Sequence, residues 1–141
     1  MNLYRLIYKS RATVPVDAET VLSIATASQR RNREFGITGM LLATNAHFLQ
    51  VLEGEQEAVS KAYEHIVKDS RHSGLILVSC GAVNERRFRK WAMKGVGLMG
   101  YGAELKDLLR RKYGVEDGDV RFPVEESRAL ALFYDVVSFE G

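Results

Sequence analysis

The chain has 141 residues, 46% of them hydrophobic, with 12 Gly and only 2 Pro, which is the profile of one compact domain. At this length roughly 70% of the unfolded surface is buried on folding, so a core forms without disulfides or a structural metal. A charged fraction of 27% and a net charge of +2 exclude a disordered polyampholyte and an all-over basic coat for nucleic acid. No apolar run approaches the ~18 residues of a membrane span. The opening stretch MNLYRLIYKSR has a strand-like pattern and no small-residue cleavage site, so it does not read as a signal peptide. Cys80 stands alone, which excludes an intrachain disulfide and points to a reducing, cytoplasmic setting.

In chain order, Leu3 to Tyr8 alternates as a strand, with Tyr4, Leu6 and Tyr8 on one face and Leu3, Arg5 and Ile7 on the other. Asp17 suits the N-cap of a helix reaching Phe35 and closing at Gly36. Its inward stripe is Val21, Ile24, Ala25, Ser28, Asn32 and Phe35. Two strands follow, Ile37–Ala43 and His47–Glu53, joined by a tight hairpin at Thr44-Asn45-Ala46. A second helix is expected from about Gln56 to Asp69, burying Val59, Ala62, Tyr63 and Ile66. Leu75–Cys80 is a continuous apolar run and reads as a strand covered on both faces. Asn84 to Lys90 reads as a short capped turn of helix, and Trp91–Gly97 as the last strand. The order β-α-β-β-α-β-β predicts an α+β, ferredoxin-like mixed sheet with two helices on one face. Two amphipathic helices follow, near 103–113 and from Pro123 onward, and are expected to pack on the other face. Residues 1–97 are net +5 and residues 98–141 net −3, with no linker between them. The expected division is therefore a domain at 1–97 with a helical extension at 98–141.

The usual chemical motifs do not occur. There is no Gly-rich phosphate loop, no paired Cys/His spacing and no Gly-x-Ser-x-Gly elbow. His47, His65 and His72 are scattered, so no metal site is expected. The basic cluster at 84–90 reads as a solvated turn rather than a nucleic-acid patch. Three polar residues instead stand where apolar ones belong: Tyr8 ends the first strand beside Leu6, Asn32 lies on the inward helical stripe, and Gln50 shares a face with Phe48 and Leu52. A buried amide without partners costs about 1–3 kcal/mol, so each needs a partner. Any one of them suits an ordinary satisfied core. A phenol and two carboxamides converging between helices and sheet also suit a flat heteroaromatic ligand with an amide-like edge.

Five segments carry a family resemblance: Leu6-Ile7-Tyr8-Lys9-Ser10-Arg11; Asn32 with Gly36-Ile37-Thr38-Gly39-Met40-Leu41; Phe48-Leu49-Gln50-Val51-Leu52-Glu53-Gly54; Asp69-Ser70-Arg71-His72; and Arg87-Phe88-Arg89-Lys90-Trp91-Ala92-Met93. In this order and spacing the chain resembles the BLUF domain, a blue-light sensor that uses FAD, over residues 3 to about 97. The resemblance implies an FAD whose ring lies between the two long helices, against one face of the sheet. Tyr8 and Gln50 become the photoactive pair, with light driving proton-coupled electron transfer from Tyr8 to the flavin through Gln50. Asn32 holds the pyrimidine edge, Arg71 lies near its O2 side, and Ile24 and Ile66 sandwich the ring. Ser28, Asp69 and His72 are further candidates for cofactor contact. Trp91 and Met93 become the signal relay into the C-terminal helices. The chain departs from the family pattern at Ala92, where Ser is usual, and at Arg31, where His or Asn is common.

By this reading the protein is a stand-alone photoreceptor and not an enzyme, with about 44 residues after the core and no room there for a catalytic domain. Its output goes to a separate protein partner, not to nucleic acid or a membrane. The apolar faces of the extension serve either its own sheet or a second copy, as a homodimer. Two alternatives stand beside it: a flavin protein without useful photochemistry, and a ferredoxin-like regulatory or protein-interaction module with another ligand or none.

Overall fold

A computed structural model describes residues 2–140. Five strands form one mixed sheet in the order β4-β1-β3-β2-β5: β1 Leu3–Ala12, β2 Thr38–Ala43, β3 His47–Glu55, β4 His72–Ala82 and β5 Lys94–Gly97. Four helices, α1 Ala18–Phe35, α2 Gln56–Val67, α3 Ala103–Tyr113 and α4 Glu126–Glu140, pack around it, with a 3-10 turn at Leu98–Gly100. A small hairpin, β6 Val115–Glu116 and β7 Asp119–Val120, joins α3 to α4. This is the expected α+β arrangement of a ferredoxin-like sheet with additional C-terminal helices.

Strand alternation sets the two faces. Leu6 and Tyr8 of β1, Leu41 of β2, and Phe48 and Leu52 of β3 pack under α1 and α2 with Val21, Ala25, Val59 and Ala62. Their neighbours Ile7, Met40, Leu42, Leu49 and Val51 face the other way, against Leu105 and Leu109 of α3 and Leu132, Phe133 and Val136 of α4. β1 and β3 pair antiparallel with Tyr8 opposite Gln50, which brings the two polar residues of one face together. Asp17 caps α1 by accepting from the Thr20 backbone N–H at 2.7 Å, and Gly36 ends it with φ 69°. Gly95 lets α1 lie close on β5, because a Cβ there would sit 2.7 Å from that of Ala25.

Five expectations need correction. Leu75–Cys80 belongs to the edge strand β4 and is not covered on both faces: Ile76 and Leu77 are 47% and 49% exposed. The stretch 84–90 is irregular rather than helical, since Glu53 takes the backbone N–H groups of Arg87 and Phe88. The last strand begins at Lys94, because parallel pairing to β2 starts at Met40 opposite Lys94; Trp91 and Met93 precede it. The final helix starts at Glu126, not Pro123; the preceding Phe122 carbonyl instead accepts from Lys9 Nζ at 2.7 Å. Phe35, placed on the inward stripe, is 53% exposed at the end of α1.

Candidate functional site

Three side chains form a buried line beneath α1. Tyr8 Oη donates to Gln50 Oε1 at 2.5 Å, and Gln50 Nε2 donates to Met93 Sδ at 3.3 Å. All three residues are almost wholly buried. Burial pushes the Tyr8 phenol far above its ordinary value; the nearby Tyr63 and Asp69 add to this and Arg71 opposes it. The phenol therefore stays protonated and acts as the donor. Gln50 carries two amide hydrogens, and a thioether is a weak acceptor for one of them, so the amide retains donor capacity.

A cavity of about 250 Å³ opens in front of this line, between α1, α2 and the sheet. Ile24 and Ser28 of α1 line it, with Ile66 of α2 and Asp69, Arg71 and His72 beyond. Ala27, Leu41 and Phe48 add apolar wall that sequence reasoning passed over, although Ala27 lies three residues from Ile24 on the same helix. The Ser28 hydroxyl is engaged, donating back to the Ile24 carbonyl at 3.0 Å. Asp69 and Arg71 form a two-pronged ion pair, Nε to Oδ1 at 3.0 Å and Nη2 to Oδ2 at 2.5 Å. Hydrogen bonds from Arg71 draw the Asp69 carboxyl down to about 2. His72 Nε2 donates to the Ile66 carbonyl at 2.5 Å, so Nδ1 accepts from Ser10 Oγ at 2.8 Å. Its ring stands edge-on to Tyr8 and to Phe48.

Asn32 is buried but does not line the cavity; its Nδ2 donates to the Ala92 carbonyl at 2.6 Å. Gln29, one turn earlier and unremarked in the sequence, donates to the Met93 carbonyl at 3.0 Å. The Gly39 N–H donates to the Trp91 carbonyl at 3.0 Å, so residues 91–93 are held by three hydrogen bonds to α1 and β2. Met93 points to the α1/α2 side, whereas Trp91 packs against the α3/α4 core with Lys94 Nζ 5.3 Å from its ring centre.

The donor set fits a flavin. The cavity offers two isoleucine walls, a buried amide with a donor to spare and an ion-paired arginine, the mixed apolar and polar lining of a cofactor site. Among the described residues there is no group of three or more His, Cys, Asp or Glu side chains placed to hold a metal, and no helix long and apolar enough to cross a membrane.

Comparison with known proteins gives the same picture. The blue light- and temperature-regulated antirepressor BluF of Escherichia coli (strain K12) is 31% identical over 132 residues, covering 93% of this chain and 32% of its own. A photoactivated adenylate cyclase subunit beta of Euglena longa is 34% identical over 95 residues, 66% of this chain but 11% of that protein. The chain thus spans a third or less of these curated relatives. The solved dark-state structure of BlrB, a BLUF protein, superposes with a TM-score of 0.77 at 28% identity and covers 97% of this chain and 96% of its own. The family model for sensors of blue-light using FAD matches residues 3–94. On these grounds the chain belongs to the BLUF family of blue-light flavin sensors.

Proposed function

We propose that Tyr8 and Gln50 are the photoactive pair of an FAD-binding light sensor, and that Met93 reads their state. The observation that carries this is the continuous hydrogen-bonded line from Tyr8 through Gln50 to Met93 at the wall of the cavity. A bound flavin supplies a blue-light absorber whose excited state draws an electron from a nearby phenol. Tyr8, once oxidised, becomes strongly acidic, and its proton moves along the 2.5 Å bond onto the Gln50 amide. When the electron and proton return, Gln50 is left turned or tautomerised. A turned carboxamide presents Oε1 where Nε2 stood, and an oxygen cannot donate to Met93 Sδ. The contact breaks, and the segment at 91–93, still held by its three backbone carbonyl bonds, is biased toward a second position of the Met93 side chain.

In this reading Ile24 and Ile66 flank the ring, while Asn32, Ser28, Asp69, Arg71 and His72 hold or orient its polar edge. Trp91 and Met93 pass the change from a flavin-binding unit, residues 1–97, to an output unit, residues 98–141. A protein partner then reads the C-terminal helices, a choice supported by the likeness to an antirepressor. We place the sensor in the cytoplasm, where the exposed Cys80 stays reduced. A homodimer is consistent with the exposed Leu108 and Phe139 on α3 and α4.

Absorbance in the dark and after blue illumination tests the pair. The wild-type protein should show a flavin band that shifts red and relaxes in darkness. Tyr8→Phe should keep the flavin and lose the shifted state, and Gln50→Leu should do likewise with a slightly altered dark spectrum. A normal light response in either variant rules the assignment out.

A further inference from the structure

On the side of the sheet away from α1 and α2, a cavity of about 330 Å³ opens between β1, the β6–β7 hairpin and the start of α4. Small-molecule sites begin at about this size. Lys9 lines it, because alternation along β1 turns this side chain to the face opposite Tyr8. Only 7% of Lys9 is exposed, a depth that lysine almost never reaches unpaired. Its pairing is incomplete. An ammonium carries three donors, and the Phe122 carbonyl at 2.7 Å takes one of them. Glu116, its ion-pair partner, stands 3.6 Å away, beyond hydrogen-bond distance, and is itself partly open to solvent. Arg121 and Arg128 line the same cavity from the segment after β7 and from α4. A guanidinium has five N–H donors. Arg121 gives one to the Val115 carbonyl at 3.2 Å, and Arg128 gives one to the Lys112 carbonyl at 2.7 Å. The Tyr113 ring, 5.2 Å from the Arg128 guanidinium carbon, holds that group at the rim. Two carboxylates also face the cavity, Glu116 and Glu125. The Glu125 side chain is exposed and, among the described residues, makes no hydrogen bond or ion pair.

We propose that this cavity binds a small oxyanion, a phosphate or carboxylate group, through Lys9, Arg121 and Arg128. An oxyanion brings acceptors for the ammonium donors that the protein leaves unmet, and the two guanidinium forks match its paired oxygens. The bond to Lys9 forms away from water, where a charge-assisted contact is strongest. Glu125 acts in the opposite sense: its charge repels the ligand from the rim. The bound group joins the sheet, through Lys9, to the last helix, through Arg128. Tyr8 and Lys9 are neighbours on one strand with opposite facings, so the C-terminal helices gain an input on the far side of the sheet from the Tyr8–Gln50 pair. The site does not depend on the flavin reading.

Isothermal titration of the full chain in the dark, at low ionic strength, with inorganic phosphate and separately with succinate tests the site. At least one probe should bind saturably, one per chain, with a Kd of about 1 mM or tighter. The tighter of the two identifies the group as phosphoryl or carboxylate. Lys9→Met keeps most of the buried stem and should weaken binding about tenfold or more, and Arg128→Gln about fivefold. Glu125→Gln should tighten it about twofold, a gain that damage to the fold does not produce. Where Lys9→Met loses native circular dichroism, the two variants at exposed positions decide the matter. No saturable binding of either probe at about 10 mM overturns the site. So does binding that a folded Lys9→Met or Arg128→Gln leaves unaltered, or the absence of any gain in Glu125→Gln. None of these results bears on the flavin reading, which the blue-light spectrum tests separately.

Discussion

Glu53 has no exposed surface, and its carboxylate sits among well-aimed donors. Arg5 Nε reaches Oε2 at 2.8 Å, and the backbone N–H groups of Arg87 and Phe88 reach Oε1 at 2.9 and 2.7 Å. Charge-assisted bonds of this kind offset the desolvation of a buried ion only while every partner is present. Removing one member leaves an uncompensated charge, a loss of about 3–5 kcal/mol. Glu53→Ala should therefore lower stability by that amount in urea unfolding, since Arg5 loses its counter-ion and two N–H groups lose their acceptor. Glu53→Gln should lose less, because one neutral acceptor oxygen remains. A loss under about 1 kcal/mol for the alanine variant would mean that Phe88 packing alone holds the 84–90 stretch.

At the scale of elements, the β6–β7 hairpin is fastened to the sheet by Asp117, which accepts from His47 Nε2 at 2.7 Å and from Arg11 Nη1 at 2.8 Å. Those two bonds hold its carboxyl below the ordinary value, as Arg71 does more strongly for Asp69. Both acids bind protons more weakly folded than unfolded. Their stabilising effect is thus complete above about pH 4 and fades as the pH falls through the folded values, near 2 for Asp69. Screening keeps the Asp69 contribution below about 1 kcal/mol. Urea midpoints should fall between about pH 4 and pH 2, and the double variant Asp69→Asn, Asp117→Asn should show a shallower fall. Some slope remains, because Asp17 is also held low by Thr20. An unchanged slope would remove both pairs from the acid response.

The same elements show what local pattern can and cannot reveal. The cap at Asp17, the close at Gly36 and the three-residue turn before His47 depend on neighbours in sequence, and all three are legible there. Alternation along two strands likewise puts Tyr8 and Gln50 on one face, before any register is known. By contrast, Leu75–Cys80 reads as a central strand because an apolar run does not say how many of its faces are covered. The strands buried on both faces are instead β1, β2 and β3. Asn84–Lys90 fails as a helix because its backbone donors go to Glu53, more than thirty residues away. Gln29 and the Gln50–Met93 contact rest on pairings of the same long-range kind, so spacing alone could not find them.

For the whole molecule, the sheet separates two cores, and the stretch from Glu53 to Met93 connects them. Met93 contributes to the α1/α2 core and meets Gln50, whereas Phe88, five residues earlier, stands 5.4 Å from Phe133 and 5.9 Å from Tyr134 of α4. Arg87 Nη1 also donates to Tyr134 Oη at 3.0 Å. A signal leaving Gln50 by the proposed relay therefore has a packed route of a few residues to the last helix. Its strength is set by the bond that switches. One hydrogen bond contributes about 0.5–1.5 kcal/mol net, which biases a two-state segment by roughly 2- to 12-fold. Illumination should change hydrogen exchange in α4 by a factor of that order and leave the centre of β3 unaltered. Met93→Ala should keep the flavin and its red shift, since Tyr8 and Gln50 remain, while the light-dependent change in α4 disappears. Should α4 respond to light in that variant as it does in the wild type, the signal leaves Gln50 by a route that bypasses Met93, and Trp91 on the opposite face becomes the side chain to replace next.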